Sequence, residues 1–109
     1  MGEIQLLAVY AGKGIYYDNG YRFNPRLDIF KANVPLVMAE NGCMEYYPAV
    51  DLETGLPVQE MDENAVTVIE KWENLDALLN HLGAPHMLSY RERVKDMVEK
   101  VVVKVLRPA

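Results

Sequence analysis

Residues 64–90 read NAVTVIEKWENLDALLNHLGAPHMLSY, and the fold turns on how this stretch divides. It holds the only tryptophan of the chain, Trp72, and both histidines, His81 and His86. Residues 65–73 alternate as a half-buried strand does: Val66, Val68, Glu70 and Trp72 fall on one face, Ala65, Thr67, Ile69 and Lys71 on the other. Asn74 offers an N-cap to a helix in which Leu75, Leu78, Leu79 and Leu82 recur at helical spacing. Gly83 suits the stop of that helix. Pro85 suits the first position of the next, where its missing N–H costs nothing. His86 then sits in a helical first turn, where the macrodipole disfavours imidazolium and leaves a neutral ring able to accept a proton.

Working outward, residues 3–10 read as a first strand, with Ile4, Leu6, Ala8 and Tyr10 alternating against Glu3, Gln5, Leu7 and Val9. Residues 11–24 read as a loop in which Gly12, Gly14 and Gly20 interrupt Tyr16, Tyr17, Tyr21 and Phe23. Asn24-Pro25 starts a helix with Leu27, Ile29, Phe30, Val34, Val37 and Met38 inward, ending at Asn41-Gly42. Pro35 should kink it or end its first half. Residues 43–51 form a second strand, with Pro48 marking an edge position or a bulge. Residues 52–63 are a long acidic connection. The helix opened by Pro85 runs to about Val98, and a valine-rich strand over 99–107 closes the chain, Lys100 and Lys104 sharing a face.

The order is βαββαβ in one domain covering residues 1–109. An α+β, ferredoxin-like sandwich with helices on one face of an antiparallel sheet satisfies it most economically. The other sheet face then carries more apolar surface than water tolerates, in whichever of Val101, Val103, Val105 and of Val102, Leu106 the helices leave uncovered. A second copy of the chain is the simplest cover, which makes the expected state a homodimer.

Half of the residues are hydrophobic and a quarter charged, as in ordinary soluble domains. Eleven basic against sixteen acidic residues leave a net charge of -5, which argues against nucleic acid or an anionic membrane as partner. Cys43 stands alone, so no intrachain disulfide can form and a reducing compartment fits. With neither a signal peptide nor an apolar run of membrane-spanning length, the expected location is cytoplasmic.

The chain resembles the antibiotic biosynthesis monooxygenase (ABM) family, and most closely its quinol monooxygenase branch. The resemblance rests on Val68-Ile-Glu-Lys-Trp-Glu73, on His81-Leu-Gly-Ala-Pro-His-Met87 and on the Arg107-Pro108 ending. Upstream it extends through Val34-Pro35 and Glu40-Asn-Gly-Cys43 to Tyr47-x-x-x-Asp51. It implies a dimeric α+β barrel and oxygenation with no cofactor: neither flavin, haem nor metal. The glycine- and tyrosine-rich segment 11–24 departs from the pattern, since family members pass quickly from the first strand into a polar helix.

Glu70 is the odd member of an apolar strand face, so it must be paired, protonated or facing a wet pocket; the plain alternative is a rim salt bridge to an arginine. Trp72 shares that face, though a lone strand tryptophan is usually core. His81 and His86 lie five apart with a proline between, unlike the i, i+4 pair of helical metal sites, so no metal is expected. As residues alone, both histidines fit satisfied helix ends as well as a pocket. The resemblance tips them toward the pocket, through its His-x-x-x-Pro-His pattern. Tyr46, Tyr47 and Tyr90 can offer hydroxyls and aromatic walls. Arg91 and Arg93 read as a solvated face, Cys43 has no sign of nucleophilic activation, and Gly12-Lys-Gly14 lacks the spacing of a phosphate loop.

The resulting expectation is a cofactor-independent monooxygenase acting with O2 on a small aromatic substrate, a hydroquinone or related polyphenol. His86, His81 and Glu70 are the candidate catalytic groups, and Trp72, Tyr46 and Tyr90 the candidate binding residues. One rival is an isomerase of a small carbonyl compound or phosphorylated signalling sugar, for which Lys13, Arg22 and Arg26 would supply positive charge. A non-catalytic dimeric binding protein is another. Haem degradation fits less well, because that branch uses an Asn on the first strand and none occurs over residues 3–10.

Overall fold

The structure, a computed structural model, describes residues 2–12, 16–18 and 21–109, with the backbone alone for 16–18 and 21–23. Strands β1 (Ile4–Ala11), β4 (Cys43–Ala49), β5 (Val66–Trp72) and β6 (Lys100–Leu106) form one antiparallel sheet in the order β4-β5-β1-β6. Helices α1 (Pro25–Met38), α2 (Leu75–Leu82) and α3 (Pro85–Val94) are the helical layer, and α1 packs on β4 and on α3. This is the ferredoxin-like arrangement expected. Among the described residues, no helix is long and apolar enough to cross a membrane.

One insertion was not foreseen. The segment read as a plain loop carries a short hairpin, β2 (Tyr16–Asp18) paired with β3 (Tyr21–Phe23). Lys13, Gly14, Ile15, Asn19 and Gly20 lie outside the described residues, as do the tyrosine side chains of the hairpin.

Pairing register decides which side chains meet. Ile4 stands opposite Trp72, Leu6 opposite Glu70 and Ala8 opposite Val68, while Tyr46 stands opposite Glu70 from the other side. Leu6, Glu70 and Tyr46 therefore form one row across three strands, facing the helices, and all three are buried. Pro48 lies on β4, an edge strand, as its missing N–H requires; the irregularity of that strand falls instead between Cys43 and Glu45.

Phe30 and Val37 are buried as expected, but polar residues complete the buried stripes of the helices. In α1 the buried residues are Arg26, Phe30, Asn33 and Val37, while Met38 is exposed. Their spacing is helical, but two of the four are polar, so an apolar count slides past them. Arg26 gives one guanidinium N–H to the Asn64 carbonyl, and its Nε and Nη1 have no hydrogen-bond partner among the described residues. Pro35, on the exposed side, neither ends nor halves the helix. In α2 the buried pair is Leu78 and His81, and Leu79 and Leu82 are exposed. Helix α3 stops at Val94 and a single 3-10 turn, Lys95–Met97, follows.

Among the described residues, neither face of β6 is fully covered. Val101, Val103 and Val105 share the helix side with Tyr10, Ala8 and Leu6, yet each remains about half exposed; Val102 and Leu106 on the other side are exposed too. An outer strand with two bare apolar faces is an unfinished core.

Candidate active site

The site is assembled from three chain segments that sequence separates by up to 46 residues. Asn74 caps α2 through a hydrogen bond from the Ala77 amide, at 2.9 Å, and so fixes the direction in which α2 leaves β5. One helical step beyond Leu78, His81 points back onto that strand, where its ring lies 4.6 Å from the Trp72 indole and 5.5 Å from the Tyr46 ring. After Gly83 and Ala84, Pro85 opens α3 and His86 follows in its first turn.

The third segment is the turn after α1. Gly42 has φ +84, and a Cβ on it would stand 2.6 Å from the Ala77 Cβ of α2. Only glycine permits that backbone and that approach. The turn brings Glu40 against both histidines. Its Oε2 lies 2.7 Å from His81 Nδ1 and 2.9 Å from His86 Nε2, so one carboxylate oxygen holds a nitrogen of each ring. Sequence reading singled out the two histidines but not Glu40. The available signal was its position in the matching segment Glu40-Asn-Gly-Cys43, where nothing marks a catalytic role.

On its far side His81 Nε2 faces Glu70 Oε1 at 3.7 Å, a charge contact rather than a hydrogen bond. The same Glu70 oxygen accepts the Trp72 indole N–H at 3.0 Å. The acid–base groups thus run His86, Glu40, His81, Glu70, from a partly exposed ring to a buried carboxyl. Among the described residues Glu70 makes no salt bridge to arginine, and it lies off the rim, 5% exposed on an interior strand. Burial pushes its carboxyl up to about 7; the Trp72 N–H opposes that rise and the Glu40 charge adds to it. For His81, burial lowers the pKa and favours the neutral ring, while the contact with Glu40 pulls the other way.

The aromatic candidates form a stacked wall behind this run. Phe30 stacks on Tyr46 at 5.1 Å and meets Tyr90 edge-on at 5.7 Å. Burial raises the pKa of both tyrosines far above the ordinary phenol range, so their hydroxyls stay protonated. Tyr90 and His86 reach open space together. They line a cavity of about 140 Å³ between α1 and α3, with Asn33, Ser89 and Arg93 among its other walls. A second, more apolar cavity of about 350 Å³ lies under β6, lined by Tyr10, Tyr90 and Val101 among others. Tyr46 and Trp72 line neither, and the indole face of Trp72 is taken by His81.

The other candidates lie apart. Arg91 donates to the Leu82 carbonyl and is exposed, in keeping with a solvated face. Burial pushes the Cys43 thiol up to about 11, with the Glu40 charge adding, the opposite of nucleophilic activation. Arg26 is sealed in the core, and Lys13 and the Arg22 side chain lie outside the described residues.

The acid–base groups of the site all lie within one stretch that a family model matches. A family model described as antibiotic biosynthesis monooxygenase matches residues 26–93, from the start of α1 to the end of α3. The chain belongs to that family. Its matched part contains Glu40, Glu70, Trp72, His81 and His86, while the β2–β3 hairpin and β6 fall outside it. Over 82 residues the chain is 40% identical to the Escherichia coli K12 protein named "Probable quinol monooxygenase YgiN", covering 75% of this chain and 79% of that one. The fold is shared with Rv0793 from Mycobacterium tuberculosis, at TM-score 0.71 and 22% identity, over 98% of this chain and 95% of that one. A conserved protein from Methanosarcina mazei Go1 superposes at TM-score 0.77 and 17% identity, over 100% and 95% of the respective chains. Family and relatives together support monooxygenase activity.

Proposed function

We propose that this ABM-family protein oxygenates a hydroquinone-type aromatic with dioxygen, the substrate itself supplying the electrons. The net reaction balances as hydroquinone plus dioxygen giving hydroxyquinone plus water. What carries this reading is the run of acid–base groups from the cavity wall into the core, with Glu40 holding both histidines. With His86 Nε2–H donated to Glu40, the lone pair of that ring lies on Nδ1, which is the nitrogen left to take a phenolic proton. The imidazolium so formed stays beside the Glu40 carboxylate, and that contact stabilises it as the proton moves. His81 and Glu70 stand behind Glu40 and keep it oriented. The deprotonated ring is then electron-rich enough to reduce dioxygen.

In this reading Tyr90 and His86 meet the substrate, because they line the cavity. Trp72 and Tyr46 act one layer deeper, fixing Glu70 and His81. The quinol class is suggested by the YgiN relative, and the cavity offers the Tyr90 ring and the Ile29, Ala32 and Leu36 side chains to an aromatic body, with Asn33, Ser89 and Arg93 as polar contacts. A second copy of the chain, covering β6 and closing the space beneath it, completes the architecture as a homodimer.

The test is oxygen uptake by purified protein with a panel of hydroquinones, without NAD(P)H or flavin. Uptake should match substrate loss, and His86→Ala should lower kcat by about 10²–10⁴-fold, as expected for a positioned acid–base group. A His86→Ala variant as active as the parent would overturn the assignment of the base. A carbonyl compound rearranged without oxygen uptake would return the isomerase reading instead.

A further inference from the structure

The shared oxygen of Glu40 has a second consequence. Three donor atoms of the kind that bind zinc, Glu40 Oε2, His81 Nδ1 and His86 Nε2, lie within 4.8 Å of one another. From these atoms we propose that Glu40, His81 and His86 form a binding site for a divalent transition-metal ion of the zinc type. The inference concerns the same side chains as the proposed reaction but stands whether or not that reaction occurs.

Two imidazole nitrogens and one carboxylate oxygen are a borderline donor set, which selects zinc and its first-row neighbours over magnesium or calcium. Three protein ligands also leave a coordination position open. Bonds of about 2.0–2.1 Å at tetrahedral angles place ligand atoms roughly 3.3 Å apart. The two nitrogen–oxygen distances of 2.7 and 2.9 Å must widen slightly, and the two nitrogens already lie within 4.8 Å of each other. The ring best able to move is His86, since its side chain is 23% exposed against 1% for His81. The same exposure gives an ion its way in.

Surroundings support the site as well as the ligands do. Metal ligation through Nδ1 requires the His81 proton on Nε2, and that nitrogen faces Glu70 Oε1 at 3.7 Å. A carboxylate that accepts the free N–H of a ligating histidine fixes its tautomer and raises its basicity, and Glu70 needs to approach by only about 0.5 Å to do so. Glu70 is itself fixed by the Trp72 N–H. Each ring keeps one proton on binding, moved to its other nitrogen, so no redox step is involved. An ion in this position withdraws both histidines from proton transfer: metal occupancy and acid–base chemistry exclude one another. The helical-spacing argument misses the site because the third ligand comes from the turn after α1, and the break at Gly83–Pro85 carries His86 back toward His81.

The test uses untagged, chelator-treated protein titrated with Co2+, read by visible absorption, and with Zn2+, read by calorimetry. One ion per chain is expected, with the intense visible bands of low-coordinate cobalt and no competition from Mg2+. Glu40→Gln and His86→Ala should each weaken binding by at least the roughly 10–100-fold typical of losing an outer-shell partner. Far-ultraviolet circular dichroism checks that both variants stay folded, and Cys43→Ser should bind as the parent does. No saturable uptake by the parent, uptake unchanged in both ligand variants, or uptake abolished by Cys43→Ser would each overturn the site. None of these readouts involves substrate turnover, so failure of the oxygenase reading leaves them unaffected.

Discussion

Trp72 and Glu70 offer a direct measure of how far the buried polar row is held together by one hydrogen bond. The indole N–H meets Glu70 Oε1 at 3.0 Å, with Trp72 fully buried and Glu70 nearly so, and neither group can turn to water if the other is removed. Trp72→Phe keeps an aromatic ring but strands the carboxyl and leaves part of the indole volume empty. Together these should cost about 2–4 kcal/mol. Glu70→Leu removes the acceptor and strands the indole N–H. In the double variant neither partner is left unsatisfied, so its cost should fall short of the sum of the two singles. Measured above about pH 8, where a carboxyl raised to about 7 is ionised, the shortfall should be about 1.5–3 kcal/mol, the range for a hydrogen bond to a charged group. Urea unfolding followed by circular dichroism at 222 nm (~helical signal, since Trp72→Phe lacks the fluorophore) gives all four stabilities. Additivity within about 0.5 kcal/mol would show that the row is packed rather than hydrogen-bonded, and the argument for Trp72 as the group that fixes Glu70 would fall.

Two further outcomes are expected. Cys43 should alkylate slowly near neutral pH: raising its thiol from 9.0 to about 11 leaves roughly 100-fold less thiolate below both values, so the rate should climb about tenfold per pH unit until near 11. An iodoacetamide rate equal to that of an unhindered thiol would contradict the burial assigned to it. Sedimentation at micromolar concentration should report twice the 12.4 kDa mass of the chain, because both faces of β6 need cover; a stable monomer would remove the homodimer.

Local chemistry made several elements legible. Asn74 caps α2 and Pro85 opens α3 as their residue types require, and the alternation over 65–73 assigned Glu70 and Trp72 to the same buried face. Where the reading slipped, polar residues occupied inward positions. Arg26 and Asn33 in α1 and His81 in α2 complete the buried stripes, while Met38, expected inward, and Leu79 and Leu82, which share the helical spacing of Leu78, stand exposed. The hairpin within 11–24 escaped because its strands are three residues each, too short for a period to register.

By itself the sequence determined the order of the four sheet strands and the helices between them, the family, and the two histidines as residues to watch, because periodicity, caps and short motifs are local properties of the chain. Only the tertiary structure decided what those histidines face. Glu40 lies 41 residues from His81 along the chain and 2.7 Å from it in space. That contact depends on the register that sets β4 beside β5, and on a glycine turn that lets α1 end against α2. Such closeness follows from how elements pack, which no local pattern around Glu40 or His81 displays.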